Sequence, residues 1–315
     1  MLLLKEFIIL ALGLLVLGKS ANLVVKNLIR IANLLRLSTF IVSFVVLGIA
    51  TSTPEIFVGI NSIGEKTPQL SLGNVIGASI VLLTLITGAT ALITGKVILD
   101  AAFTKKNLVI MNFVILMPVF LIYDGRISKF DSLLMLLAYG IYVISVYRER
   151  HILSHPIANH NHKSHIGKNI IILILGFIGL AYASRFAVHS AVNIASILKI
   201  PILILGILLF SLGTNLPEFI ITFTSIRKGQ KTIALGNVMG SAATNTLVIA
   251  AISFLQPFEI LDFTTFIVSV FFLATTVISF SLFIKSKNEI SRIEGVFLLS
   301  IYFFFVLFEV IGKLL

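Results

Sequence analysis

Two short segments carry the residue types that could do chemistry in an otherwise apolar chain: TSTPE at 51–55 and TNLPE at 214–218. Each sits in a run long and apolar enough to be a membrane helix. Each places a threonine four residues before a glutamate and a proline directly before it (Thr51, Pro54 and Glu55; Thr214, Pro217 and Glu218). Proline supplies no N–H and blocks the turn before it, so a carbonyl near Ala50 loses its helical partner. A charged side chain at mid-bilayer costs about 2.5 kcal/mol or more on insertion scales, so both glutamates need something to interact with. A dehydrated cation satisfies both demands. Calcium takes roughly six to eight oxygen ligands in flexible geometry. Two glutamates offer carboxylate oxygens and charge, and freed carbonyls with Thr51 and Thr214 supply the rest. The plainer reading of either segment alone is a kinked helix whose glutamate pairs with Lys19 or Arg185. Recurrence of both features at one offset argues against it.

A second pair of motifs follows each of these, GNVIG at 73–77 and GNVMG at 236–240. The glycines Gly73, Gly77, Gly236 and Gly240 have the small-xxx-small spacing that lets membrane helices approach closely. Asn74 and Asn237 can then hydrogen-bond across that contact. Alone this motif is weak, because it is common in apolar helices.

The elements that hold these residues follow from composition. Of 315 residues, 58% are apolar and 12% charged, too few charges to cover a soluble protein of this length. Uncharged runs near 20 residues recur, the length of a membrane-crossing helix. The chain is therefore expected to be an all-α integral membrane protein with ten spans: 6–28, 39–63, 70–94, 107–123, 132–147, 169–197, 201–226, 232–255, 263–284 and 293–312. The runs do not alternate, which argues against a β-barrel. The first 21 residues resemble a signal peptide, but a retained first span is favoured because this segment has a partner in the second half.

The net charge of +11 could suggest nucleic acid, but its distribution argues otherwise. With the N-terminus outside, sixteen basic residues fall in inner connections and six in outer ones: Lys5, Lys66, Arg126, Lys129, Lys199 and Lys313. Basic residues are retained on the cytoplasmic side, so the excess encodes orientation. Both termini are expected outside the cell membrane and 148–168 inside. The partners implied are the bilayer and small inorganic cations. With no cysteine, no disulfide or thiolate metal site exists.

A shift of 163 positions aligns the halves without gaps. IANLLRL (31–37) falls on IASILKI (194–200), TSTPE on TNLPE, and LGNVIGAS (72–79) on LGNVMGSA (235–242). Three matches in register imply duplication. Five spans per half is an odd number, so the second copy enters from the opposite face. The organisation expected is a first repeat (1–147), a histidine-rich cytoplasmic loop (148–168) and a second, inverted repeat (169–315). Inverted repeats with interrupted helices, here 2 and 7, mark secondary transporters with sites near the midplane.

At these residues the chain resembles the calcium/cation antiporter superfamily, most closely the archaeal and bacterial sodium/calcium exchangers. Their inverted repeats read G-T-S-x-P-E followed by G-N-x-x-G-S-N. The resemblance covers essentially the whole chain in span count, orientation and loop position, and is specific over 48–82 and 211–245. It implies calcium bound by Glu55 and Glu218 with the backbone carbonyls of Thr51 and Thr214. It also implies sodium competing at overlapping positions, at the carbonyls of Gly48 and Ser211 and the Ser241 hydroxyl. The chain departs from the family at Ala78, where serine is usual, at Leu82, where asparagine is common, at Asn245, an otherwise acidic position, and at Asn215, otherwise serine. The calcium core is intact, while the polar ring for the second ion is thinned, mainly in the first repeat. Sodium coupling would draw on Ser52, Asn215, Ser241 and Asn245. Proton coupling needs only a buried carboxylate that takes up a proton, and both stay open. The resemblance further implies alternating access, with the long spans 6–28 and 169–197 moving around a core of spans 2, 3, 7 and 8. Lys19 and Arg185 within them read as snorkelling cations.

His151, His155, His160, His162 and His165 cluster in HILSHPIANHNHKSH. Such a tract can bind zinc or nickel or sense pH, but it lacks a fixed ligand spacing. A solvated loop is favoured over a regulatory metal site. Glu309 and Lys313, four apart, read as an ordinary helix pair. There is no HExxH, no cysteine nucleophile and no paired-aspartate motif, so an enzyme is not expected, nor a cofactor beyond the transported calcium and sodium or protons. A passive channel ranks below exchange, because channels present selectivity elements as rings from several subunits. Here the paired site is complete within one chain.

Overall fold

The computed structural model describes residues 2–34, 37–98, 104–148, 166–260 and 263–311, so the histidine tract lies outside the described residues. Ten described helices are long and apolar enough to cross a membrane. Spans 1 to 5 are Leu2–Ala32, Thr39–Gly64, Pro68–Thr94, Lys105–Asp124 and Lys129–Arg148. Spans 6 to 10 are Gly167–Leu198, Ile202–Arg227, Ile233–Leu255, Phe266–Lys285 and Arg292–Val310. The ten expected segments are all present. Span 1 extends furthest beyond expectation, as one helix over Leu2–Leu34. Span 5 begins at Lys129 because Ser128 and Asp131 form a reciprocal cap. The Ser128 N–H donates to Asp131 Oδ2 at 2.8 Å, and the Asp131 N–H donates to Ser128 Oγ at 3.2 Å. Ser291 and Glu294 cap span 10 the same way, at 2.7 and 3.4 Å.

That second cap lies 163 residues after the first, and the same shift relates other local features. Gly125 and Asn288 both turn with positive φ (80° and 53°), as do Lys66 and Gly229 (58° and 72°). Beyond the helices lie two short ribbons not expected from the sequence. Strands β1 (Lys96–Ile98), β2 (Arg126–Ile127), β3 (Phe258–Glu259) and β4 (Glu289–Ser291) pair antiparallel as β1 with β4 and β2 with β3. Span 4 runs from the end carrying β1–β4 to the end carrying β2–β3, so the ribbons sit at opposite ends of the bundle.

The core is built by helices crossing between halves. Spans 2 and 7 each widen into a π-turn, at Val42–Val46 and Gly206–Phe210. Span 3 lies on the second of these: a Cβ on Gly73 or Gly77 would stand 2.3 Å from the Leu203 or 2.5 Å from the Ile207 carbonyl oxygen. Span 8 lies on the first, with Gly236 against Ser43 and Gly240 against the Phe44 carbonyl, at 2.5 and 2.4 Å. The small residues therefore seat each helix on the broken helix of the other half, an approach only glycine permits.

Spans 1 and 6 form an antiparallel pair whose apolar cluster, from Leu10, Leu17 and Val24 to Leu180, Ala187 and Ile194, continues onto Val58 of span 2 and Phe210 of span 7. Small residues again set the contact, with Gly13 against Ala187 and Gly176 against Val24. Lys19 and Arg185 are exposed on this pair and form no ion pair with Glu55 or Glu218. At span 10, Glu309, expected to pair with Lys313, is buried and accepts the Ser269 hydroxyl of span 9 at 2.7 Å. Lys313 lies outside the described residues.

Candidate functional site

Span 2 is helical through Thr51, breaks at Ser52 and resumes at Thr53; span 7 does the same at Thr214, Asn215 and Leu216. The break residues share one backbone conformation, φ −78° and ψ 7° at Ser52 and φ −84° and ψ 6° at Asn215. Pro54 and Pro217 open the second segments, where a missing N–H goes unused. The Ala50 carbonyl that Pro54 frees accepts the Thr53 hydroxyl at 2.8 Å. Span 7 has Leu216 at the matching position, which carries no hydroxyl. Glu55 and Glu218 occupy the first turn of each resumed helix, the end whose unpaired N–H groups favour negative charge.

The structure brings the two motifs face to face. Glu55 meets the Thr214 side chain and Glu218 meets that of Thr51, and the carboxyl groups are close enough for their charges to interact. Both glutamates are 1% exposed, which leaves almost no water to offset that charge. Around them Thr51 Oγ1 donates to the Leu47 carbonyl at 2.9 Å and lies 2.8 Å from Ser241 Oγ. Thr214 Oγ1 donates to the Phe210 carbonyl at 3.0 Å and to Asn74 Oδ1 at 3.1 Å. Asn215 Nδ2 donates to the Ser211 carbonyl at 2.6 Å, while the Gly48 carbonyl accepts the Ser52 N–H at 3.1 Å. Asn245 Nδ2 donates to Ser79 Oγ and the Val75 carbonyl, at 2.9 and 3.3 Å, across to span 3.

Four oxygens of these motifs are buried without a hydrogen-bond partner: Glu55 Oε2, Glu218 Oε2, Ser52 Oγ and Asn215 Oδ1. Buried polar atoms are normally partnered, so four oxygens left over in one place mark where a cation or ordered water could be held. Two carboxylates with neutral oxygens suit a hard cation rather than a soft transition metal. Among the described residues, no three His, Cys, Asp or Glu side chains form a metal-ligating group.

Only one of the two asparagines of the glycine motifs reaches across as expected. Asn74 bonds across to the opposite half through Thr214, but Asn237 does not reach across: its Nδ2 donates within its own half to the Glu218 carbonyl and Thr222 Oγ1, at 3.2 and 3.1 Å. The cause is Thr222, a hydroxyl one turn beyond Glu218 where the first half has Gly59. Thr53, Ser79 and Thr222 are site neighbours that sequence reasoning missed. Only Thr53 left a signal, a hydroxyl three residues after the carbonyl a proline frees.

Comparison with known proteins agrees with the ten-span architecture. The profile of the family described as sodium/calcium exchanger protein matches residues 5–148 and again 168–311. The sodium/calcium exchanger MaX1 of Methanosarcina acetivorans is 28% identical, with 97% of this chain and 99% of that protein covered. The uncharacterized membrane protein MJ0091 of Methanocaldococcus jannaschii is also 28% identical, over 92% of this chain and 93% of its own length. Among solved structures, the sodium-calcium exchanger NCX_Mj soaked with 2.5 mM Na+ and 0.1 mM Sr2+ is similar with a TM-score of 0.68. That likeness has 26% identity and covers 96% of this chain and 98% of the other. With its family profile matched over most of its length, this ten-span chain belongs to the sodium/calcium exchanger family of membrane transporters.

Proposed function

We propose that the chain is a secondary antiporter that exchanges calcium for sodium at a midplane site between spans 2 and 7. Calcium is held by Glu55 and Glu218 with oxygens of Thr51 and Thr214. Sodium competes for the same carboxylates, using the Gly48 and Ser211 carbonyls and Ser52, Asn215, Ser241 and Asn245. The observation that carries this reading is the set of four unpartnered buried oxygens shared between two mirrored helix breaks. Relatives and structural neighbours named as sodium/calcium exchangers support it.

The transport cycle is alternating access. Spans 1 and 6 rest on the broken helices through separate contacts, Leu14 on Gly213 in one case and Asn61 Nδ2 on Ser184 Oγ at 2.7 Å in the other. Moving as a pair, they open the site to one face at a time while spans 2, 3, 7 and 8 keep it fixed. Both termini lie outside, because the basic connections stay in the cytoplasm.

Exchange for protons is the second reading. It is favoured by Ala78 and Leu82, apolar residues buried at positions where the family is polar. The test is calcium uptake into proteoliposomes preloaded with sodium, potassium or acid. Uptake driven by sodium supports the first reading, uptake driven only by acid the second. Uptake that follows voltage with no counter-ion gradient rejects both in favour of a channel.

A further inference from the structure

The two halves of the site hold their threonines differently. Thr51 has Ser241 at 2.8 Å, a hydroxyl on the facing helix. The residue 163 positions before Ser241 is Ala78, so no hydroxyl can serve Thr214 from that position. Thr214 is held instead by Asn74, one helical turn before Ala78 on the same face of span 3, through a bond of 3.1 Å from Oγ1 to Oδ1. Thr214, Asn74 and Ala78 are all fully buried. Asn74 has also given up the position its counterpart keeps. Asn237 Nδ2 donates to the Glu218 carbonyl and Thr222, whereas Asn74 Nδ2 is buried without a partner.

We infer that Asn74 is a positioning residue for Thr214 and replaces the hydroxyl that position 78 lacks. The physical reason is the single hydroxyl proton. The Phe210 carbonyl and Asn74 Oδ1 compete with the Glu55 carboxyl group for that proton, and drawn to the first two it leaves the oxygen lone pairs for a cation. Without Asn74 the hydroxyl is free to turn toward the Glu55 carboxyl group, which it already meets, and competes with the cation there. Ser241 occupies the matching place beside Thr51, whose hydroxyl donates to the Leu47 carbonyl. The inference rests on the calcium reading above.

The test is calcium titration of the purified protein by calorimetry, with wild type, Asn74→Ala, Ala78→Ser and Asn74→Ala/Ala78→Ser. Asn74→Ala is expected to bind calcium about threefold to tenfold more weakly, the effect of one lost hydrogen bond. The double variant is expected within about twofold of wild type, because the serine introduced at position 78 would hold Thr214 as Ser241 holds Thr51. A structural role for Asn74 alone would not be rescued by a hydroxyl four residues away. Full affinity in Asn74→Ala, or a double variant no better than it, overturns the inference. If Asn74→Ala does not fold, the double variant must fold and bind within about twofold, and its failure is equally decisive. Absence of calcium binding by the wild type is a different result, since it removes the calcium reading itself.

Discussion

Gly240 lies so close to Phe44 that a Cβ on the glycine would stand 2.4 Å from the Phe44 carbonyl oxygen. That oxygen belongs to the π-turn of span 2, and no backbone can yield there without moving the helix that carries Thr51 and Glu55. Gly240→Ala is therefore expected to destabilise the protein by about 1–3 kcal/mol or more. Gly77→Ala, at 2.5 Å from the Ile207 carbonyl in span 7, should behave alike. Gly140, in the middle of span 5 with nothing within 4 Å of its Cβ position, is the control. There alanine should add about 0.5–1 kcal/mol through helix propensity. Thermal melts in detergent separate the three.

The Thr53 hydroxyl satisfies a carbonyl that proline has left exposed in a buried place. Thr53→Val keeps the shape and removes the donor, so it should cost about 1–3 kcal/mol. Thr224 makes a similar bond to the Ile220 carbonyl at 2.6 Å, but it is exposed and its carbonyl lies within an unbroken helix. Thr224→Val should stay within about 0.5 kcal/mol. Equal losses would show that the break at Ser52 places no special demand on Thr53.

Calcium should stabilise the protein, because it binds only where the two motifs are assembled. At about 100 times its dissociation constant the gain is about 2.7 kcal/mol, and chelation should reverse it. Glu55→Gln and Glu218→Gln are isosteric and remove a buried charge. Each should fold at least as stably as wild type without calcium, lose the calcium-dependent rise in melting temperature, and reduce uptake into vesicles to background. Retained exchange in either variant would falsify the paired-carboxylate site.

The spans and their interruptions were legible in the sequence because a membrane helix and a proline both act locally. Pro54 next to Glu55, repeated at Pro217 and Glu218, announced both the break and the need for a partner. The glycine spacing announced a close contact but not its partner. Gly73 and Gly77 could equally have faced a second copy of span 3, and only the tertiary fold shows them on Leu203 and Ile207. The unequal roles of Asn74 and Asn237 were out of reach, since they depend on Thr222 and Ala78 being brought beside them. The bond from Ser269 to Glu309 was out of reach as well, because spacing says nothing about which face of span 10 is buried. The ribbons were invisible for another reason: two or three residues such as Arg126–Ile127 carry no usable period.

Strand pairing and charge make separate claims about the membrane faces, and labelling tests both. Pairing of Arg126 with Glu259 puts the connections after spans 4 and 8 on one face, and Gln69 Nε2 donating to the Glu259 carbonyl at 3.0 Å adds the connection after span 2. Pairing of Lys96 with Ser291 puts the connections after spans 3 and 9 on the other face. The chain has no cysteine, so single cysteines report cleanly. In intact cells a membrane-impermeant maleimide should label cysteine at 126 and 259. Positions 96, 228 and 285, all exposed, should react only after the membrane is opened. The reverse pattern would overturn the orientation drawn from basic residues while leaving the grouping intact. A split between 126 and 259, or between 96 and 285, is incompatible with the ribbons themselves, because hydrogen-bonded strands cannot face opposite compartments.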